Sequence, residues 1–155
     1  SFTDGYAVTK YKNITSAGRK GKDPAGDFVD TDIALIRLGE VYLNYAEAAL
    51  RKNTNTSDAL TYVNGLRTRA GEAPLTAARL TVDEVLNERA RELYWECFRR
   101  TDLIRYNRFV EGTYLWPFKG GVAAGTAVAD FRKLYPIPAN VVLASGGVIR
   151  QNTGY

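Results

Sequence analysis

Glu88, Glu92 and Glu96 stand four residues apart, which on a helix places three carboxylates in one row with neighbouring Cβ atoms about 5–6 Å apart. A retaining glycosidase needs two carboxyl groups about 5–5.5 Å apart, one of them protonated, so distance alone permits acid–base chemistry. The neighbours argue against it. Arg89, Arg91, Arg99 and Arg100 surround the row, and nearby cations keep carboxylates ionised where a general acid needs a raised pKa. The row therefore reads as a Glu/Arg packing network between helices, with Asp102 and Arg105 as further members. Histidine is absent and Cys97 is the single cysteine. Ser-His-Asp and Cys-His catalysis and an internal disulfide are excluded, and the commonest metal ligand is missing. Neither a metal nor a cofactor is expected, and Cys97 reads as a small buried hydrophobe.

Sugar recognition asks for other residue types: aromatic faces to stack on apolar sugar faces, and polar groups for hydroxyls. Tyr114, Trp116 and Phe118 lie in a Gly-rich stretch between Glu111 and Asp130 and are the candidate platform, with Tyr6 and Tyr11 as aromatics elsewhere. A second reading, favoured by the Trp-Pro-Phe segment itself, has these rings pinning the loop onto the helices. The net charge of +4 comes from 21 Lys and Arg against 17 acids, mostly interleaved. The one basic run, Lys10, Lys12, Arg19, Lys20 and Lys22, reads as a solvated hairpin and loop and not as a nucleic-acid surface.

These residues need a scaffold, and 155 residues suffice for one ordinary domain with a buried core. No stretch reaches the roughly 20 apolar residues of a membrane-spanning helix. The opening Ser1-Phe2-Thr3-Asp4 carries no signal-peptide pattern and reads as the middle of a longer chain. Tyr6 to Tyr11 is aromatic and β-branched enough for a strand, and a polar loop follows to Asp30. From Thr31 to Lys52, Leu35, Leu38, Tyr42, Tyr45 and Ala49 recur at helical spacing, with Ile36, Leu43 and Leu50 beside them, so most of this helix should be covered. Its remaining stripe, Arg37, Glu40, Asn44, Glu47 and Arg51, forms a polar seam, with Glu47 and Arg51 in the favourable i,i+4 order.

A second helix is predicted from Ser57 to Ala70, stopped by Gly71 and Pro74. The third starts at Thr81, where Thr81 and Glu84 form a capping box and Leu80 and Val85 a hydrophobic staple. After a break near Cys97 a fourth runs from Arg99 to Phe109. The predicted fold is all-α: two tetratricopeptide-like hairpins over residues 31–110, a strand-and-loop lead-in over 1–30, and an aromatic loop and tail over 111–155. A short helix near 139–144 follows Pro138.

Several segments, in order, resemble the SusD/RagB family. Arg37-Leu-Gly-Glu40-Val-Tyr-Leu-Asn-Tyr-Ala-Glu47-Ala resembles its R-x-x-E-x-x-L-x-x-A-E-A helix. Asn64-Gly-Leu-Arg67-Thr-Arg69-Ala-Gly71 resembles its N-x-x-R-x-R-A-G helix end. Glu88-Arg89 to Leu93 and Arg99 to Arg105 resemble its E-R-x-x-E-L and R-x-x-D-L-x-R signatures. Trp116-Pro-Phe-Lys-Gly-Gly121, Tyr135-Pro-Ile-Pro138 and Gln151-Asn-Thr-Gly-Tyr155 complete the set. Departures are local: Cys97 stands where glycine is usual, Thr153 where proline is usual, and Ser145-Gly146-Gly147 where Asn-Pro is common.

The resemblance implies a SusD-like helical scaffold belonging to the C-terminal part of a longer lipoprotein. It implies capture of a glycan at the outer membrane beside a TonB-dependent (SusC-like) transporter, with membrane contact only through a lipid anchor outside this chain. It transfers no binding residue. Two alternatives stay open: a free-standing helical-repeat scaffold for protein partners, and a glycoside hydrolase. The identity of the glycan is not legible.

Overall fold

The computed structural model describes residues 8–23 and 25–155. Its helices are α1 (Leu38–Lys52), α2 (Thr56–Arg69), α3 (Val82–Glu92), α4 (Arg99–Arg105) and α5 (Ala139–Ala144), with 3-10 turns at Ala77–Arg79, Lys119–Gly121 and Asp130–Lys133. The fold is all-α. Among the described residues, β structure is limited to one antiparallel bridge between Ile14 and Lys20, and no helix is long and apolar enough to cross a membrane. The chain divides into two compact units, Ser1–Val85 and Leu86–Tyr155.

In the first unit the strand expected over residues 6–11 is not formed where it can be seen. Tyr6 lies outside the described residues, and residues 8–11 run into a turn. The bridge instead closes a hairpin tip, in which Thr15 N–H donates to Arg19 O and Gly18 N–H to Thr15 O, each at 2.9 Å. Lys10, Lys12, Arg19, Lys20 and Lys22 are exposed on and around it.

Helix α1 begins at Leu38 and not at Thr31. Arg37 is extended (φ −137°, ψ 157°) and no side chain caps the helix. Helical turns in proteins are stabilised mainly by burying one face, and among the described residues this segment stays open: Leu35 is 87% and Ile36 79% exposed. The expectation that these residues pack inward is corrected accordingly. From Leu43 onward the pattern holds. Leu43, Ala46 and Ala49 of α1 pack with Ala59, Val63 and Leu66 of α2, together with Leu75, Leu80 and Val85. The Tyr42 and Tyr62 rings stack at 4.6 Å, and Tyr45 meets Tyr62 edge-on at 5.1 Å, extending the packing to the hairpin's flank.

Three helices end alike. Asn53, Gly71 and Asn107 take left-handed backbone, and the two N–H groups at each exit return to the last turn, as in Glu72 to Arg67 O at 2.9 Å and Gly71 to Thr68 O at 3.1 Å. This is the Schellman arrangement, and at Asn107 it stops α4 four residues before the predicted Phe109. Thr81 caps α3 as expected, its hydroxyl accepting the Glu84 N–H at 3.1 Å. Leu80 and Val85, the staple residues, are both buried.

Irregular segments are fastened by side-chain amides that stand in for a strand partner. Asn64 donates to Leu75 O at 3.0 Å and accepts from Leu75 N–H at 2.7 Å. Gln151 does the same for Ile137 in the second unit, at 2.7 and 2.8 Å. The tail is further held by Asn152 donating to Tyr135 O and the Tyr155 hydroxyl donating to Leu134 O. Gly154 has φ +102°, and a Cβ there would sit 2.4 Å from the Phe131 ring, so the tail's close seat on that ring needs glycine.

Candidate functional site

The second unit carries most of the charged and aromatic residues singled out above. Its buried centre is ionic. Arg89 and Asp102 are each 2% exposed at the side chain and meet at 2.9 Å. Arg105 Nη2 lies 3.0 Å from the other Asp102 oxygen, at an angle poor for hydrogen bonding, so that contact is Coulombic. Arg99 donates to Leu86 O at 3.1 Å. These bonds tie α3 to α4 and give the aromatic loop a fixed base.

The expected carboxylate row is cut short: Glu88 and Glu92 share α3, and Glu96 does not. Helix α3 ends at Glu92, so Glu96 falls in the turn beyond it, and Glu88 is buried and paired with Arg91 at 2.6 Å. The turn is unusual: Trp95 and Cys97 both take left-handed backbone, at φ 63° and 65°. Cys97 is exposed, which corrects the expectation of a buried thiol, because the tight turn directs it outward. A mostly apolar hollow of about 460 Å³ sits beside it, lined by Leu93, Tyr94, Trp95 and Arg99 among others. Of the remaining charged candidates, Glu47 is buried and bonded by Arg51 at 2.9 Å. Arg37 stands just before α1, Glu40 in its first turn, and Glu92 is half-buried at the end of α3.

The aromatic loop starts where α4 stops. Val128 N–H donates to Val110 O at 2.9 Å, closing a loop whose interior is organised by two charged groups. The Glu111 carboxylate accepts the Thr113 hydroxyl, the Thr113 N–H and the Tyr114 N–H, the last at 2.8 Å. The Thr113 hydroxyl first, then the two amides and the charge of Lys119, hold its pKa below the usual carboxylate range. Lys119 is 2% exposed. Its ammonium donates to Tyr114 O at 2.7 Å, to Glu111 O, and more distantly to Arg108 O at 3.4 Å.

The three candidate rings fare differently. Tyr114 bonds to Arg99 through its hydroxyl, and the Arg99 guanidinium lies 5.7 Å from its ring centre. Trp116 is half-buried, with Lys119 Nζ 4.7 Å from its ring and Phe109 stacked at 6.4 Å. Tyr114 and Trp116 meet at 6.5 Å and share a hollow of about 350 Å³ with Arg100 and Leu103. Phe118 is 72% exposed and lies with Trp116 on a second hollow of about 730 Å³. The structure thus occupies much of Tyr114 and Trp116 with cations and leaves Phe118 as the open ring. Tyr11 belongs to the first unit, and Tyr6 lies outside the described residues.

The sequence does not reveal what two residues do in organising this region. Arg100 donates to Arg132 O at 2.7 Å and Lys133 O at 3.1 Å, and lies 3.9 Å from the Tyr135 ring centre, so it fastens the following segment to α4. Lys119 is the other. Its signal was present: no other charged residue occurs between Glu111 and Asp130.

Comparison with known proteins identifies the family. A sequence model of the SusD family matches residues 1–155. The chain is 40% identical, over 154 residues and 99% of its length, to the starch-binding protein SusD of Bacteroides thetaiotaomicron, of which it spans 27%. Among solved structures it is similar to the surface glycan-binding protein A of Bacteroides thetaiotaomicron in complex with laminarihexaose, with TM-score 0.66, 29% identity, and coverage of 80% of this chain and 25% of that one. It is also similar to a SusD superfamily protein of Bacteroides vulgatus, with TM-score 0.65, 30% identity, and coverage of 87% and 30%.

Proposed function

The chain belongs to the SusD family, and from that premise we propose that it serves a non-catalytic, glycan-binding subunit of an outer-membrane nutrient-uptake system. The observation that carries this reading is the 40% identity, across 99% of the chain, to a protein that binds starch. The laminarihexaose complex of a structural relative supports the same ligand class. In this reading the helices are scaffold and docking surface, the partner is a TonB-dependent (SusC-like) transporter, and the protein sits at the cell surface on a lipid anchor. Tyr114, Trp116 and Phe118 are this chain's candidate glycan contacts.

The geometry favours capture over cleavage. Two buried carboxylates are engaged by arginines, Glu88 by Arg91 and Asp102 by Arg89, an arrangement suited to packing. A stacked sugar is held weakly by any one site. Holding it beside a transporter raises its effective concentration where uptake begins. Extraction of the protein from its native membranes in mild detergent tests the partner. Co-purification of a TonB-dependent transporter is expected, and extraction without one would contradict the docking role.

A further inference from the structure

We infer that Lys119 is a positioning residue for saccharide binding: its buried ammonium shapes the loop so that Phe118 presents a bare ring on which a sugar stacks. The inference rests on the glycan-binding reading above.

An ammonium taken out of water is costly unless its donors are met. Here three N–H groups face three carbonyl oxygens, those of Arg108, Glu111 and Tyr114, which matches the donor inventory of lysine. The indole of Trp116 lies against the same charge, as a cation–π contact. These acceptors come from separate points of the preceding run, so one atom fixes its path. The Lys119 backbone adds two more ties, its N–H donating to Trp116 O at 3.0 Å and its carbonyl accepting Thr126 N–H at 3.1 Å. On the return side Gly125 has φ +79°, and a Cβ there would meet Trp116 O at 2.5 Å. The loop is closed tightly around the lysine.

The consequence falls on the residue before it. Phe118 takes φ +65°, a conformation a bulky side chain rarely adopts, and still its ring is 72% exposed. Backbone strain maintained at an open aromatic ring points to use of that ring. The hollow beside it, about 730 Å³ with Trp116, Phe131 and Arg132 on its walls, is within the size range of small-molecule sites. Phe118 offers the stacking face and the Arg132 guanidinium a donor for sugar oxygens.

The test is an amide NMR titration of the chain with maltohexaose and with laminarihexaose. In the wild type, at least one sugar is expected to move the Phe118 and Trp116 signals. Lys119→Met, checked for fold by the unchanged signals of α4, is expected to weaken that response about tenfold. Lys119→Arg should not rescue it, because a planar fork cannot meet three convergent carbonyls. A lysine with only a stabilising role would lower the melting temperature and leave the titration unchanged. Wild-type affinity in folded Lys119→Met therefore overturns the inference and leaves the glycan reading standing. Silence of the wild type toward both sugars overturns the glycan reading at this loop, and the inference with it. If Lys119→Met does not fold, the wild type decides: a slowly exchanging ammonium resonance coupled to the three carbonyl carbons is expected, and a freely exchanging one overturns the inference.

Discussion

Asp102 has a demanding position in the second unit, because it neutralises an arginine that is almost wholly buried. With both side chains 2% exposed, Asp102→Ala leaves the Arg89 charge buried, and breaking such a pair from one side costs about 3–5 kcal/mol. Urea unfolding should show a loss of that size, whereas Arg91→Ala, which removes a 49%-exposed partner of Glu88, should cost less. A small effect of Asp102→Ala would mean that Arg89 finds water or another acceptor. Glu111 makes a pH-dependent contribution of the opposite exposure. Its folded pKa is depressed by the Thr113 hydroxyl, two amides and Lys119, so it stabilises the loop fully above the unfolded value of about 4.3. That contribution is lost as pH falls from there through the folded pKa. Amide exchange at Thr113 and Tyr114 should accelerate over this acid range, and Glu111→Gln should abolish the pH dependence. Unchanged protection in the wild type would contradict the assignment.

The elements were legible where a signal is local and obscure where it is not. The cap at Thr81 and the stop at Gly71 rest on hydrogen bonds within a few residues, and both stand in the structure. The start of α1 was misplaced because apolar spacing continues through Ile33, Leu35 and Ile36, while the burial that would make it helical is absent. The amide pairings of Asn64 with Leu75 and Gln151 with Ile137 span 11 and 14 residues, and no periodicity announces them. They give physical content to motifs that the sequence presented only as a resemblance. The turn between α3 and α4 shows the same gain. Cys97 stands where the resembled family has glycine, and it takes φ 65°, which costs an L-residue about 1–2 kcal/mol. Cys97→Gly removes that strain and returns part of it as unfolded-state entropy, for a net stabilisation of up to about 1 kcal/mol. A raised urea midpoint is expected, and a lowered one would show that the thiol makes contacts worth more than the strain.

At the scale of the whole molecule, fold and family were readable from ordered motifs, but the site was not. The aromatic loop was visible as composition, Tyr114, Trp116 and Phe118 among glycines. Which ring stays open depends on cations that reach Tyr114 and Trp116 through folding, Arg99 from α4 and Lys119 from within the loop. Composition does not encode those approaches. The resulting picture is a scaffold with a buried ionic centre, carrying a loop closed around Lys119 with Phe118 left exposed. On the proposed reading, such a molecule holds a sugar and leaves it uncut. The most direct measurement is incubation of the protein from its native membranes with a glycan array, followed by recovery and sizing of the retained saccharide. Retention of at least one glycan, recovered at its original length, is the predicted result; a blank array, or recovered chains that have been shortened, would contradict it.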